Sequence, residues 1–569
     1  MDKLQFDEGK IKIYANIQTL LCSLEPNSSK EAIDNLIKQI PQDYLNQKEE
    51  LKMISQLFAQ YGKNSLPTKR GNVIKLFSSI MPSLKKHLPN ESPFFWEIFG
   101  SLLHFKLWFF QEGLISIDQI LAATFQDSTP SVKRYFYPEI YEYNKEIFDK
   151  EIRPQGHFNT DEENINEFKD NRQKFFNFLR DSNDFNDPIY EKLVEKEFVL
   201  TLKTDNLKKF KENFKRFEYP VDIDVIETDI ENFYIDGPLS LIDFAICYNS
   251  VHIFDYLLEK GAPLTDRSEY YSIISGNDHI MHEVNKKVWS YGDRKPLLYA
   301  IEIWNDKMTR LAYDFCCASF LTEENVSSFK SGYAIQCFKS AFLSKNFIFF
   351  DKFLIPFIKK NSELIEDNFN NLALDSIYDL SCFFVKPFLN SPLFEIDYYD
   401  EDNNDISFLS SAISKKNQDA LELLLKNPDV EINELSFMGF TPFQLLCLDP
   451  VLIPGFEMLS NHPNFNIEEK NDDDTNALDV VSSVGNFIAL QFIVDKYPDI
   501  EYEFFPNFYM YLKEKHYYCL KILLKLFIKK NPSMECNEFI KNCKDVFGDM
   551  DDFDEKFIEI LQETFNELK

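Results

Sequence analysis

Apolar residues along this chain recur three and four positions apart, the spacing that keeps one stripe of a helix dry. Leu51, Ile54, Leu57 and Phe58 form one such stripe, and Val73, Leu76 and Phe77 form the next. Two capping boxes mark helix starts: Ser28 with Glu31 ahead of Ile33 and Leu36, and Ser116 with Gln119 ahead of Ile120 and Leu121. Prolines at 67, 82, 89, 93, 130 and 138 punctuate the pattern. Residues 1–150 are therefore expected to form a separate helical domain. Over 151–195 the pattern thins. A polar, acidic stretch at 156–166 and a turn-rich one at 181–188 flank a single periodic segment, 167–179, which predicts a linker carrying one helix.

From 196 onward the stripes come in pairs. The second member of each pair is the more regular, as in 249–262, 417–427 and 485–494, where Leu421, Leu424 and Leu425 fall on one face. Shorter versions begin at Asn206, Asn277, Asn305 and Asn346. Asn suits that place because its side chain caps an incoming helix and its backbone tolerates a left-handed turn. The first members open on a loose phrase, Thr-Pro-Phe-Gln-Leu-Leu at 441–446, with weaker copies at 240–245, 295–300, 407–412 and 475–480. Ala412, Leu446 and Val480, which close three successive copies, stand 34 residues apart. A fixed period of that length predicts stacked helical pairs. The expected fold class is all-α: an α-solenoid of helix pairs over 196–530, closed by a helical cap at 531–569.

These residues resemble the ankyrin repeat, a turn followed by two antiparallel helices, whose phrase is Thr-Pro-Leu-His-x-Ala. The nearest copy is Thr441-Pro442-Phe443-Gln444-Leu445-Leu446. A hydroxyl residue caps the first helix, and Pro sits in its first turn, where a missing N–H costs nothing. Ala245, Ala300 and Ala412 occupy the place that lets neighbouring helices stack closely. Gly237 stands for the family's hairpin glycine, and Gly261-Ala262 for the Gly-Ala that ends the second helix. Strong units are 237–264, 404–433, 438–467 and 472–500; weak ones are 268–290, 294–318, 335–360 and 369–390. This degeneracy, together with a helical N-terminal domain, is similar to the divergent ankyrin arrays of large protist families. In the ankyrin family the partner lies across the hairpin tips and the first-helix face. The resemblance therefore implies a protein-binding site at Tyr398, Tyr399, Asp400, Asp402, Phe437, Met438, Asp472, Asp473 and Asp474, with aromatic anchors and carboxylates that steer a basic ligand.

Charge narrows the partner. Lys and Arg total 61 against 93 Asp and Glu, a formal net charge of −32, so the counterion release that drives nucleic-acid binding is missing. The expected partner is another protein with a basic surface; nucleic acid is not expected. The best basic cluster, Lys203, Lys208, Lys209, Lys211 and Lys215, interleaves with Leu207, Phe210 and Phe214 as the wet face of one helix. The most apolar window, 92–110, contains Glu97, His104 and Lys106, which reads as a buried helix rather than a membrane span. None of the ten cysteines forms a Cys-x-x-Cys pair, and the first residues carry no apolar signal segment. Reduced thiols in the cytoplasm or the nucleus, without secretion, are the expectation.

Catalytic constellations are missing from the sequence. Fifteen glycines build no phosphate-cradling loop, and no nucleotide-binding or nucleophile-elbow motif occurs. His279 and His282 share a helix face beside Glu283, but no third ligand accompanies them, so a surface or inter-repeat role is expected and no metal. The loop 400–405 begins like a calcium loop, then places Asp405 where glycine is needed and Ser411 where a bidentate Glu is needed. Asp549, Asp551, Asp552, Asp554 and Glu555 precede Phe557 and Ile558 as the acidic first turn of a terminal helix. The reading is a non-catalytic scaffold or adaptor without cofactor; the alternative is an enzyme or regulatory subunit whose activity resides in the N-terminal helical domain.

Overall fold

The computed structural model describes residues 4–25, 28–64, 70–100, 102–124, 132, 135–149, 162–181, 197–217, 224–225, 239–288, 295–304, 326–360, 362–396, 398, 407–436, 438–500, 502, 504–514, 516–547 and 555–568. The fold is all-α. Among these residues the extended exception is a two-residue antiparallel pairing of Asp224–Val225 with Leu239–Ser240, with Asp224 opposite Ser240. No helix among them is long and apolar enough to cross a membrane. The apolar window forms two short helices, Ser92–Ile98 and Leu103–Gln111, and His104 and Lys106 are buried.

Contacts divide the chain into two compact units, one of Met1–Glu91, Glu97–Phe109 and Lys169–Glu395, the other of Ser92–Trp96, Phe110–Phe168 and Ile396–Lys569. In the first unit, helices Glu197–Lys203, Leu241–Cys247, Asp266–Ser275, Lys295–Glu302, Val326–Ser344 and Phe369–Ser376 pack each on the next. Between them, helices such as Val251–Glu259 form a second row. Helix Glu8–Cys22 lies against Phe347–Phe349: the Tyr14 ring is 4.9 Å from Phe347 and 5.5 Å from Phe383. Gln18 seals this seam, its amide donating to Asn346 Oδ1 at 3.2 Å while its oxygen accepts the Ile348 N–H at 3.0 Å. Helices Lys48–Asn64 and Arg70–His87 close a further aromatic cluster, Phe58 on Phe77 and Phe77 on Phe109.

The second unit repeats the stacking with Phe408–Ser414, Pro442–Leu448, Ala477–Val484 and Phe504–Lys513 as its first row. In its second row Gln418–Leu424 packs on Ile453–Ser460, and Phe487–Lys496 on Tyr517–Lys530. Helix Glu555–Leu568 covers Tyr517–Lys530. Gln119, from helix Ile117–Thr124, donates to the backbone oxygen of Val451 at 2.7 Å.

One turn recurs throughout. The first helix ends on a residue in the left-handed region, and the next residue caps the second helix. Left-handed residues are Asp205, Asn249, Gly276, Lys345, Lys416 and Gly485, with φ between +50° and +67°. The caps that follow are Asn206, Asn277, Asn346, Asn417 and Asn486, each accepting from a backbone N–H two or three residues on. Six-residue backbone bonds close the turn, such as Asn417 N–H to Ala412 O and Asn346 N–H to Ala341 O. The left-handed strain of a non-glycine residue, about 1 kcal/mol, is matched by a cap of similar size. Asn thus serves as the cap, while the residue before it takes the strained conformation; only Asn249 fills the strained place itself.

Some local expectations shift. Ser29 rather than Ser28 caps Lys30–Gln39, accepting from Ala32, because the Ser28 hydroxyl is turned back to Glu25 O. Pro82 lies inside helix Arg70–His87 instead of ending it. The helix expected over 167–179 runs Glu162–Asp181.

Candidate functional site

The fourth residue of the repeated phrase faces two ways. In Thr441-Pro-Phe-Gln444, the Thr441 hydroxyl accepts the Gln444 N–H at 3.2 Å and the Gln444 side-chain oxygen accepts the Thr441 N–H at 3.1 Å, a closed capping box. The Gln444 amide then reaches the next pair, donating to Thr475 O at 3.0 Å and Glu469 O at 3.4 Å. Asp479 has the same role in the following unit. It closes the box with Asn476 and accepts from Asn507 Nδ2 at 2.8 Å. Buried Asp243, in Ser240-Leu-Ile-Asp, takes hydroxyl protons from Thr265 at 3.0 Å and from Ser268. In these three units a polar side chain at this position ties the helical pair to the following one.

That tie holds two projecting turns in place. In 436–440 the Ser436 N–H donates to Phe440 O at 2.8 Å and the Gly439 N–H to Ser436 O at 2.7 Å. In 471–475 the Asn471 N–H donates to Thr475 O at 3.0 Å and the Asp474 N–H to Asn471 O at 3.0 Å. The Asn471 side-chain oxygen also accepts from the Asp473 N–H, the Thr475 N–H and the Thr475 hydroxyl. Gly439, at φ +76°, and Asp474, at φ +60°, are equivalent left-handed positions. The two turns are joined, since the Asp472 N–H donates to Gly439 O at 3.1 Å. A Cβ on Gly439 would come within 2.6 Å of the Asp472 carboxylate, so no other residue fits there without movement.

On this frame Met438 stands 55% exposed, and Asp472, Asp473 and Asp474 are all exposed, Asp474 pairing with Lys470 at 3.0 Å. The structure brings Met438 and the three aspartates onto adjoining turns. Tyr398 is half-buried. Tyr399, Asp400, Asp402 and Phe437 lie outside the described residues, as do the loop 400–405 and Asp549, Asp551, Asp552 and Asp554. The struts, buried Gln444 and half-buried Asp479, escaped the sequence reading as support for this site, although their place in the phrase marked them.

Other candidates have structural partners. His279 Nε2 is 2.7 Å from Asp255, and His252 Nδ1 is 2.6 Å from Asp205; each histidine sits two residues past its cap and reaches back to the preceding pair. The Asp205 carboxylate, by hydrogen bond and charge, raises the His252 pKa above its ordinary value. Among the described residues no three His, Cys, Asp or Glu side chains gather as metal ligands. In the lysine cluster, buried Lys203 lies over the Tyr248 ring at 4.9 Å and Lys211 over Tyr256 at 4.6 Å, contacts that occupy some of the basic face. Burial pushes the Cys543 thiol up to about 12 and Cys447 higher, so neither is a ready thiolate at neutral pH. Compared with known proteins, the chain matches no family model, and no curated protein is significantly similar to it.

Proposed function

We propose that this chain is a non-catalytic protein-binding scaffold built on a degenerate ankyrin-type array, with its partner read at the projecting turns and the first-helix face. The observation that carries this reading is the joined pair of turns at 436–440 and 471–475. They are fixed by backbone bonds to each other and by Gln444, and they display Met438 beside three exposed aspartates. A rigid frame lowers the ordering cost of binding, an exposed Met supplies an adaptable apolar contact, and carboxylates favour a basic partner. The phrase at 441–446, the capping boxes and the pair-to-pair struts support the ankyrin assignment. The net charge of −32 argues for a basic protein over nucleic acid.

The test is quantitative affinity capture with the full chain against a variant carrying Met438→Ala, Asp472→Asn and Asp473→Asn. These exposed positions leave the thermal midpoint unchanged within about 2 °C while capture of the specific partner falls at least tenfold. An identical set of captured proteins from both chains would overturn the assignment of the site.

A further inference from the structure

The projecting turns 436–440 and 471–475 correspond residue for residue. Ser436 N–H to Phe440 O and Gly439 N–H to Ser436 O match Asn471 N–H to Thr475 O and Asp474 N–H to Asn471 O, all between 2.7 and 3.0 Å. Gly439 and Asp474 share the left-handed conformation. Ser436 therefore stands where Asn471 stands in the next turn, Met438 where Asp473 stands, and Phe440 where Thr475 stands.

The two turns differ in one group. In 471–475 a single oxygen, Asn471 Oδ1, collects three donors: the Asp473 N–H at 3.0 Å, the Thr475 N–H at 2.9 Å and the Thr475 hydroxyl at 2.8 Å. Two backbone N–H groups of this turn thus converge on one point. In 436–440 the shorter Ser436 side chain brings no carbonyl oxygen to that point, and neither the Met438 N–H nor the Phe440 N–H has an acceptor among the described residues. Ser436 Oγ is likewise without a partner, although Ser436 is only 8% exposed. Two N–H groups and a hydroxyl are again present, now with no oxygen to receive them. Buried polar groups are ordinarily paired, so this set marks a place for an acceptor from outside.

The surroundings select the acceptor. The Asp472 N–H donates to Gly439 O at 3.1 Å, and Asp472 Oδ2 would be 2.6 Å from a Cβ at Gly439, so this carboxylate lies against the 436–440 turn. It has no hydrogen-bond or ion-pair partner among the described residues. A ligand carboxylate would meet like charge there. A carboxamide instead brings a neutral oxygen for the N–H groups and N–H donors of its own for Asp472.

We propose that the 436–440 turn receives an Asn or Gln side chain of the partner, whose carboxamide oxygen takes the Met438 and Phe440 N–H groups as Asn471 Oδ1 takes those of Asp473 and Thr475. Lys or Arg beside that residue meets Asp472 and Asp473, so the partner segment is a basic one with a carboxamide at its centre. This contact rests on the projecting turns being the binding face. The 471–475 turn fills the equivalent place from within and offers no second one.

The experiment has two arms, both on the full chain. Without a partner, Ser436→Asn rebuilds the Asn471 arrangement, and amide exchange at Met438 and Phe440 slows about tenfold. Unchanged exchange would show that the two N–H groups do not converge, and the site falls. With a partner, a random-peptide display library is selected on the natural chain. The enriched peptides carry Asn or Gln at a fixed position beside Lys or Arg, and replacing that residue of the peptide by Asp or Leu lowers affinity at least tenfold, a measurement that needs no variant of the chain. Ser436→Asn, which supplies its own carboxamide, lowers affinity for the same peptides to the same extent. Peptides without a fixed Asn or Gln, peptides that bind both chains equally, or a selection that yields no binder would each overturn the contact. Loss of peptide binding in the chain carrying Met438→Ala, Asp472→Asn and Asp473→Asn but not in Ser436→Asn keeps the binding face and removes this contact; no loss in either removes the binding face as well.

Discussion

The repeats at 407–496 and those at 326–389 are held together differently. In the former, Asn417 caps the second helix of its pair, while Thr441 with Gln444 and Asn476 with Asp479 form closed capping boxes whose fourth residue reaches the next pair. In the latter the first helix of one pair is long, Val326–Ser344, the second helix of the next pair is short, Val385–Leu389, and part of the core comes from elsewhere in the sequence. Tyr14, Gln18 and Gln56 from the N-terminal helices supply rings and hydrogen bonds to Phe347, Asn346 and Asp379. Repeats that have lost their phrase stay folded where other helices complete their core. Repeats that keep it carry ties to the next pair in the phrase itself, with an added contact from Gln119 to Val451 O.

Breaking the borrowed core has the largest expected effect. Tyr14 is 1% exposed, and Tyr14→Ala costs about 3–5 kcal/mol, in the range of buried aromatic truncations. Amide exchange checks where the loss falls: protection at 347–388 drops while protection at 442–493 holds. Equal loss in both stretches would mean that the two sets of repeats do not differ in the way described.

Gln444→Ala sharpens the other half of the comparison. It removes the Gln444 donor from the Glu469 carbonyl and one of two donors from the Thr475 carbonyl, and leaves the Thr441 N–H without its acceptor, a loss of about 1–3 kcal/mol. Chemical denaturation gives the magnitude, and exchange at 471–476 rises before that at 347–388. The smallest effect concerns His252, whose charged form Asp205 favours. Because its folded pKa lies above the unfolded value of 6.5, its contribution is complete below pH 6.5 and is lost as pH rises through the folded pKa. An NMR titration of its ring protons moves to lower pH in Asp205→Asn; an unchanged midpoint would show that the pair does not form.

Much of the repeat frame was legible because it rests on local chemistry. The stripes at Leu421 and Leu424, the Asn caps at 206, 277, 346, 417 and 486 and the 441–446 phrase each act within one helical turn and are found where their pattern placed them, whereas Asn249 takes the left-handed place and Asn305 lies outside the described residues. The exposed portion of the candidate site, Met438 and Asp472 to Asp474, was also readable, because projecting turns inherit their place from the period. The strut role of Gln444 and Asp479 was half visible. Their capping is local, but their second bond spans 28 to 31 residues.

By itself the sequence determined an all-helical chain, the spacing of its pairs, the caps that start its helices and its acidic character. Only the tertiary structure decided that Tyr14 lies against Phe347 and that Gln56 finds Asp379 323 residues away. The reason is physical. Periodicity and capping are written in the energies of neighbouring residues, whereas a contact across hundreds of positions depends on which surfaces remain unburied after local structure has formed.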